Sequence, residues 1–200
     1  MMFNHVFGLL FHPQTEWEKI GSLPDKTVKR MLPYPIIMAL IPAIGFYFGT
    51  TQVGWKIIGD DITRLAPESA IPLTVLFYCA IMGAVVFIGW MVDWMSGTYS
   101  ADSYPIKGVV LVGYAVTPIF LAGALAFYPI WWLDIFVATI ACSYAARLIY
   151  LGVPAMMHVP EDRGFLYASA VFMMALVYMV VVLTATAILW EYVATPTFVD

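Results

Sequence analysis

Phe165–Trp190 reads FLYASAVFMMALVYMVVVLTATAILW, without one charged side chain. A helix needs about 20 predominantly apolar residues to cross the hydrocarbon core of a bilayer. This stretch exceeds that length and has room to tilt. The rest of the chain decides whether its surroundings are a water-soluble core or lipid. Hydrophobic residues make up 62% of the 200, charged residues only 11%, and mean hydropathy is +0.88. An ordinary soluble domain is roughly 45–50% apolar and about 25% charged. There is too little polar side chain here to cover a globule in water, so lipid is the expected solvent.

Working outward from that segment, Pro33–Gln52, Ile71–Val92 and Gly108–Tyr128 have spanning length without a charged residue. Pro129–Gly152 carries Asp134 and Arg147 near its two ends. None alternates with the two-residue period of barrel strands, so each is read as a helix. The expected fold is an all-α integral membrane protein with five transmembrane helices, about 33–52, 71–92, 108–128, 129–152 and 165–190. They form a domain over 31–192, between an amphipathic segment 1–30 and a short tail 193–200. Tyr128-Pro129 predicts a tight hairpin between the third and fourth spans, with Trp131 and Trp132 at the interface. Pro42 and Pro118 predict kinks. Small residues four apart, at Ala80/Ala84, Ala122/Ala126, Ala138/Cys142 and Ala141/Ala145, predict close helix approach.

Lys and Arg set the orientation. Lys19, Lys26, Lys29 and Arg30 precede the first span, Lys107 lies in the second loop, and Arg147 and Arg163 flank the fourth. Only Lys56 and Arg64 occupy the opposite side. The positive-inside rule therefore predicts a cytoplasmic amino terminus and an outer carboxyl terminus. No charge precedes the apolar start and no small-residue cleavage site follows it, so no signal peptide is expected. The net charge of -4 comes without a basic run, which argues against nucleic acid as a partner. Cys79 and Cys142 sit within apolar segments and predict packing residues rather than a disulfide.

Residues 1–12 place Phe3, Val6, Phe7 and Leu10 on one helical face and Asn4, His5, Gly8 and His12 on the other. Too short to cross, such a helix is expected to lie in the interface, as an anchor or as a surface for a partner. A second short helix is predicted to start at Pro13 and stop at Gly21, with Pro13, Trp17 and Ile20 sharing a face.

Four motifs follow one another along the chain. They are Phe11-His12-Pro13 with Trp17 and Ile20, Gly49-Thr50-Thr51-Gln52-Val53-Gly54-Trp55, Gly113-Tyr114 through Thr117-Pro118, and Tyr150-Leu151-Gly152-Val153-Pro154. In this order they resemble the Yip domain family, in particular its bacterial inner-membrane branch. The resemblance implies a five-helix domain in the inner membrane with its amino terminus in the cytoplasm, and brings no defined reaction. Eukaryotic relatives are associated with Rab-type GTPases and trafficking. That role is not carried over, because the long cytoplasmic region with a Tyr-Gly-Pro motif is missing before the first span.

Ionisable groups within spans are functional candidates by default. Asp93 at the end of the second span and Arg147 in the fourth are at comparable depth. They are candidates for an ion pair or for a transport path. Asp134 lies near the outer end of span four, on the side of Asp60, Asp61 and Glu191. His158, Glu161 and Asp162 form a weak metal candidate that would need His5 or His12. No hydrolase elbow, phosphate loop, zinc motif or Cys-x-x-Cys is present, so neither catalysis nor a cofactor is expected. Two functions compete. One is a non-enzymatic organiser or adaptor of lipids, of its own copies or of other membrane proteins. The alternative is a small transporter or channel for an ion, metal or solute.

Overall fold

Prolines and glycines set the breaks in a chain that is otherwise helical. In the computed structural model the described residues are 3–56, 62–102, 104–192 and 196–199, without the side chains of Glu161 and Tyr192. Asp60 and Asp61 lie outside them, as does any reading of Glu161 as a ligand. Helix α1 covers Asn4–Phe11 and α2 covers Pro13–Gly21, with the boundaries expected from Pro13 and Gly21. Next come α3 (Asp25–Lys29), α4 (Pro33–Met38) and α5 (Leu40–Phe48), continued by a π-helical turn over Gly49–Val53. The interruption at Ala39 follows from Pro42, which has no N–H to offer the Met38 carbonyl.

Helix α6 runs unbroken through 30 residues, Pro67–Ser96. Helices α7 (Pro105–Ala115) and α8 (Thr117–Ala122) follow, then a 3-10 turn at Gly123–Phe127. Helix α9 is Trp131–Met157 and α10 is Glu161–Tyr192. Strand β1 (Arg64–Leu65) pairs antiparallel with β2 (Phe198–Val199), Arg64 opposite Val199. The tail thus folds back on the first loop rather than trailing from the last helix.

Four helical segments are long and apolar enough to cross a bilayer: Asp25–Val53, Pro67–Tyr99, Trp131–Met157 and Asp162–Glu191. A fifth crossing exists if α7 and α8 with its 3-10 extension, bent by 41°, count as one. The ends differ from expectation wherever a helix extends past its apolar stretch into charged flanks. The first run starts at Asp25, not Pro33. Helix α6 continues through Asp93 to Ser96, so Asp93 lies inside a helix rather than ending one. Pro154 lies inside α9.

Burial is lopsided. Trp17, Tyr34, Leu111, Leu148, Met156 and Tyr167 are fully buried together, at the end of the bundle where α2 packs on α9 and α3 on α7. Toward the other end α10 exposes Val177, Val180, Val181 and Leu183, a surface that water would not tolerate and lipid would.

Candidate functional site

Pro13 occupies the first position of α2, where its missing N–H costs no hydrogen bond. One turn on, Trp17 turns its ring onto α9, and Ile20 follows on the same face; all three are buried. The indole lies on Gly152, where an added Cβ would stand 2.8 Å from Trp17 Cε2. At Gly21 an added Cβ would meet the Ala155 carbonyl oxygen at 2.5 Å. Two glycines, one from each helix, thus bring α2 and α9 together. The first and last sequence motifs are the two halves of this joint. Among the described residues Trp17 Nε1 finds no hydrogen-bond partner, so the joint is held by packing.

A second joint is built on Pro118. Its ring nitrogen cannot bond to the Tyr114 carbonyl, which breaks α7 from α8 at Val116. Thr117 Oγ1 donates to that freed carbonyl at 2.6 Å. Thr117 Oγ1 in turn accepts from Tyr34 Oη at 2.7 Å. Tyr34 stacks on Tyr114 with ring centroids 4.0 Å apart, and Phe3 meets Tyr34 edge-on at 5.7 Å. An added Cβ on Gly113 would be 2.9 Å from Pro35 Cγ. The motif Gly113-Tyr114 with Thr117-Pro118 is therefore the seat of the first helical run. Tyr34 was not singled out in the sequence; a tyrosine offset from a Thr-Pro pair carries no periodic signal.

Helix α1 divides each of its two faces between the protein and its surroundings. Leu9 is fully buried and His5 and Gly8 turn toward the protein, while Phe7 and Phe11 are 71% and 72% exposed. The reason is Glu16 of α2, only 8% exposed, which lies against Gly8. Its carboxylate meets His5 Nδ1 at 2.6 Å and Lys19 Nζ at 3.1 Å. Burial pushes the Glu16 carboxyl up, but the bonds to His5 and Lys19 and their charges outweigh it and hold it below its usual value. Tyr144 Oη donates to the Leu10 carbonyl at 2.8 Å and to Leu9 at 3.2 Å, satisfying carbonyls at the end of α1 that lack helical partners.

The intramembrane candidates are not brought together as a pair. Arg147 is exposed, with its guanidinium 5.7 Å from the Tyr144 ring centroid, and among the described residues no ion pair reaches it. Asp93 is half-buried and close to Tyr167, whose hydroxyl donates to the Val92 carbonyl. Asp134 lies at the far end of α9, half-buried, with Oδ1 unpartnered. His158 meets Asp102 at 2.9 Å, Asp162 lies 3.8 Å from Arg163, and His12 is exposed between α1 and α2. Among the described residues no three His, Cys, Asp or Glu side chains gather as a metal would need. Lys107, placed in the second loop by the sequence, opens α7 instead, where it is buried and reaches Asp25 at 3.6 Å.

A helical bundle whose shared motifs are tertiary joints defines a class of membrane proteins by packing rather than by a reaction centre. The Yip1 domain model matches residues 7–183. Inner membrane protein YohC of Escherichia coli strain K12 is 33% identical over 189 residues, covering 94% of this chain and 97% of that protein. The YohC of E. coli O6:H1 gives the same figures. No solved structure matches. The chain belongs to the Yip1 domain family and is a multi-pass inner-membrane protein.

Proposed function

We propose that this protein is a non-enzymatic organiser or adaptor of the inner membrane, working through its amino-terminal helices. The carrying observation is that α1 is fixed to the bundle by Glu16 and Tyr144 yet turns Phe7 and Phe11 outward. Two exposed aromatics on a fixed helix suit insertion at a bilayer interface or capture of another membrane helix. In this reading the bundle has five spans, with the α7–α8 pair as one bent crossing. The amino terminus lies in the cytoplasm, where Lys19, Lys26, Lys29 and Arg30 favour it, and residues 1–30 act as one unit against the domain of 31–192.

The test is the double variant Phe7→Ser/Phe11→Ser, chosen because neither side chain is part of the core. Reconstituted in liposomes, it is expected to lose the change in vesicle size and the cross-linked partners that the intact protein gives. Passage of ions and metals should stay at background for both. Equal behaviour of the two proteins in vesicle shape and cross-linking overturns the reading. Flux above background that Asp93→Asn alters selects the transporter alternative.

A further inference from the structure

At the end of the bundle opposite Trp17 the helices part and leave a cavity of about 400 Å³. Its walls come from α5, α6, α8 and α9, with Phe46, Ile81, Phe120 and Ala138 among them. Ala138 and Cys142, whose spacing suggests a helix contact, are exposed and line this space instead. A volume in the range of small-molecule sites, roughly 300–1,000 Å³, thus opens among apolar walls. Among the described residues its ionisable carboxylate is Asp134, and no Lys or Arg lines it. Asp134 Oδ1 is buried without a hydrogen-bond donor, a costly condition for a carboxylate oxygen. Thr50 does not relieve it, because its hydroxyl is given to the Phe46 carbonyl at 2.7 Å.

We propose that this cavity binds a lipophilic primary amine, its alkyl chain between α5, α6, α8 and α9 and its ammonium donating to Asp134. The apolar walls select a chain, and the lone carboxylate selects one positive charge. The unpartnered Oδ1 selects a head that carries N–H groups. An ordinary acyl chain fills the walls and leaves Oδ1 as it was. A zwitterionic phospholipid brings a phosphate for which the walls hold no cation. This site lies away from the aromatic face of α1 and stands independently of the function proposed for it.

Cys142 supplies a local readout. In a Cys79→Ala background it is the single thiol, and its alkylation by a membrane-soluble maleimide reports on the cavity. With the full chain in phosphatidylcholine nanodiscs, dodecylammonium is expected to slow alkylation at a concentration about tenfold below that needed for dodecanol. Dodecyltrimethylammonium, which carries the charge but no N–H, should protect less well than dodecylammonium. Asp134→Asn should remove the preference for the amine, and Asp134→Glu should keep it. Equal protection by dodecanol and dodecylammonium overturns the proposal and needs no variant. So does an amine preference that survives Asp134→Asn. Protection by phosphatidylethanolamine but not by dodecylammonium also overturns it, in favour of a two-headed lipid.

Discussion

Gly152 and Thr117 show how single residues carry this fold. A methyl at Gly152 would press on a rigid indole rather than on a flexible side chain. Gly152→Ala is therefore expected to destabilise by about 1–3 kcal/mol, read as a lowered thermal midpoint in detergent. Thr117→Val removes the hydroxyl that serves both the Tyr114 carbonyl and the Tyr34 phenol. Its expected cost is about 1–3 kcal/mol, with Thr117→Ser close to neutral; equal losses for Val and Ser would refute the hydrogen-bond account. The sequence exposed the motif residues but not their partners. Trp17 and Gly152 are more than a hundred positions apart, and nothing in local periodicity links them. Glu16 is buried because Gly8 folds back over it, an approach between two helices that no local pattern marks.

Among the elements, the α1–α2 pair responds to acid. Glu16 holds its proton less tightly when folded than its ordinary value of 4.5. The folded state then binds fewer protons than the unfolded one, so its stabilisation is present above about pH 4.5 and is lost as pH falls through the lower, folded value. Protection of the α1 amides from hydrogen exchange should fall on that acid limb. Glu16→Gln should flatten the dependence, and an unchanged acid limb in that variant would remove Glu16 as its source. The α1–α2 boundary was legible because proline and glycine act locally. The faces of α1 were not, because periodicity tells apolar from polar without saying which side meets protein and which meets lipid. The kink at Pro118 was legible for the same local reason as Pro13, while the helix ends at Asp25 and Ser96 overran apolar stretches that only mark the hydrocarbon core.

For the molecule as a whole, composition alone carried the membrane assignment, and the sparse burial of α6 and α10 agrees with it. The proposed topology puts the two ends of the chain on opposite faces. Reporters fused before α1 and after β2 should light up on different sides of the membrane, and signals from one side would refute five crossings. Candidate sites were less legible than the fold. The cavity beside Asp134 arises from a gap between four helices, and no sequence window contains such a gap.

The pairing of β1 with β2 also sets an order of events. Val199 pairs with Arg64, so the clasp waits until position 199 has emerged, after every described helix has been made. Everything upstream must hold its shape with the first loop still unlatched. A stop codon placed between α10 and β2 would spare every described helix, yet deliver a bundle that never closes at that edge.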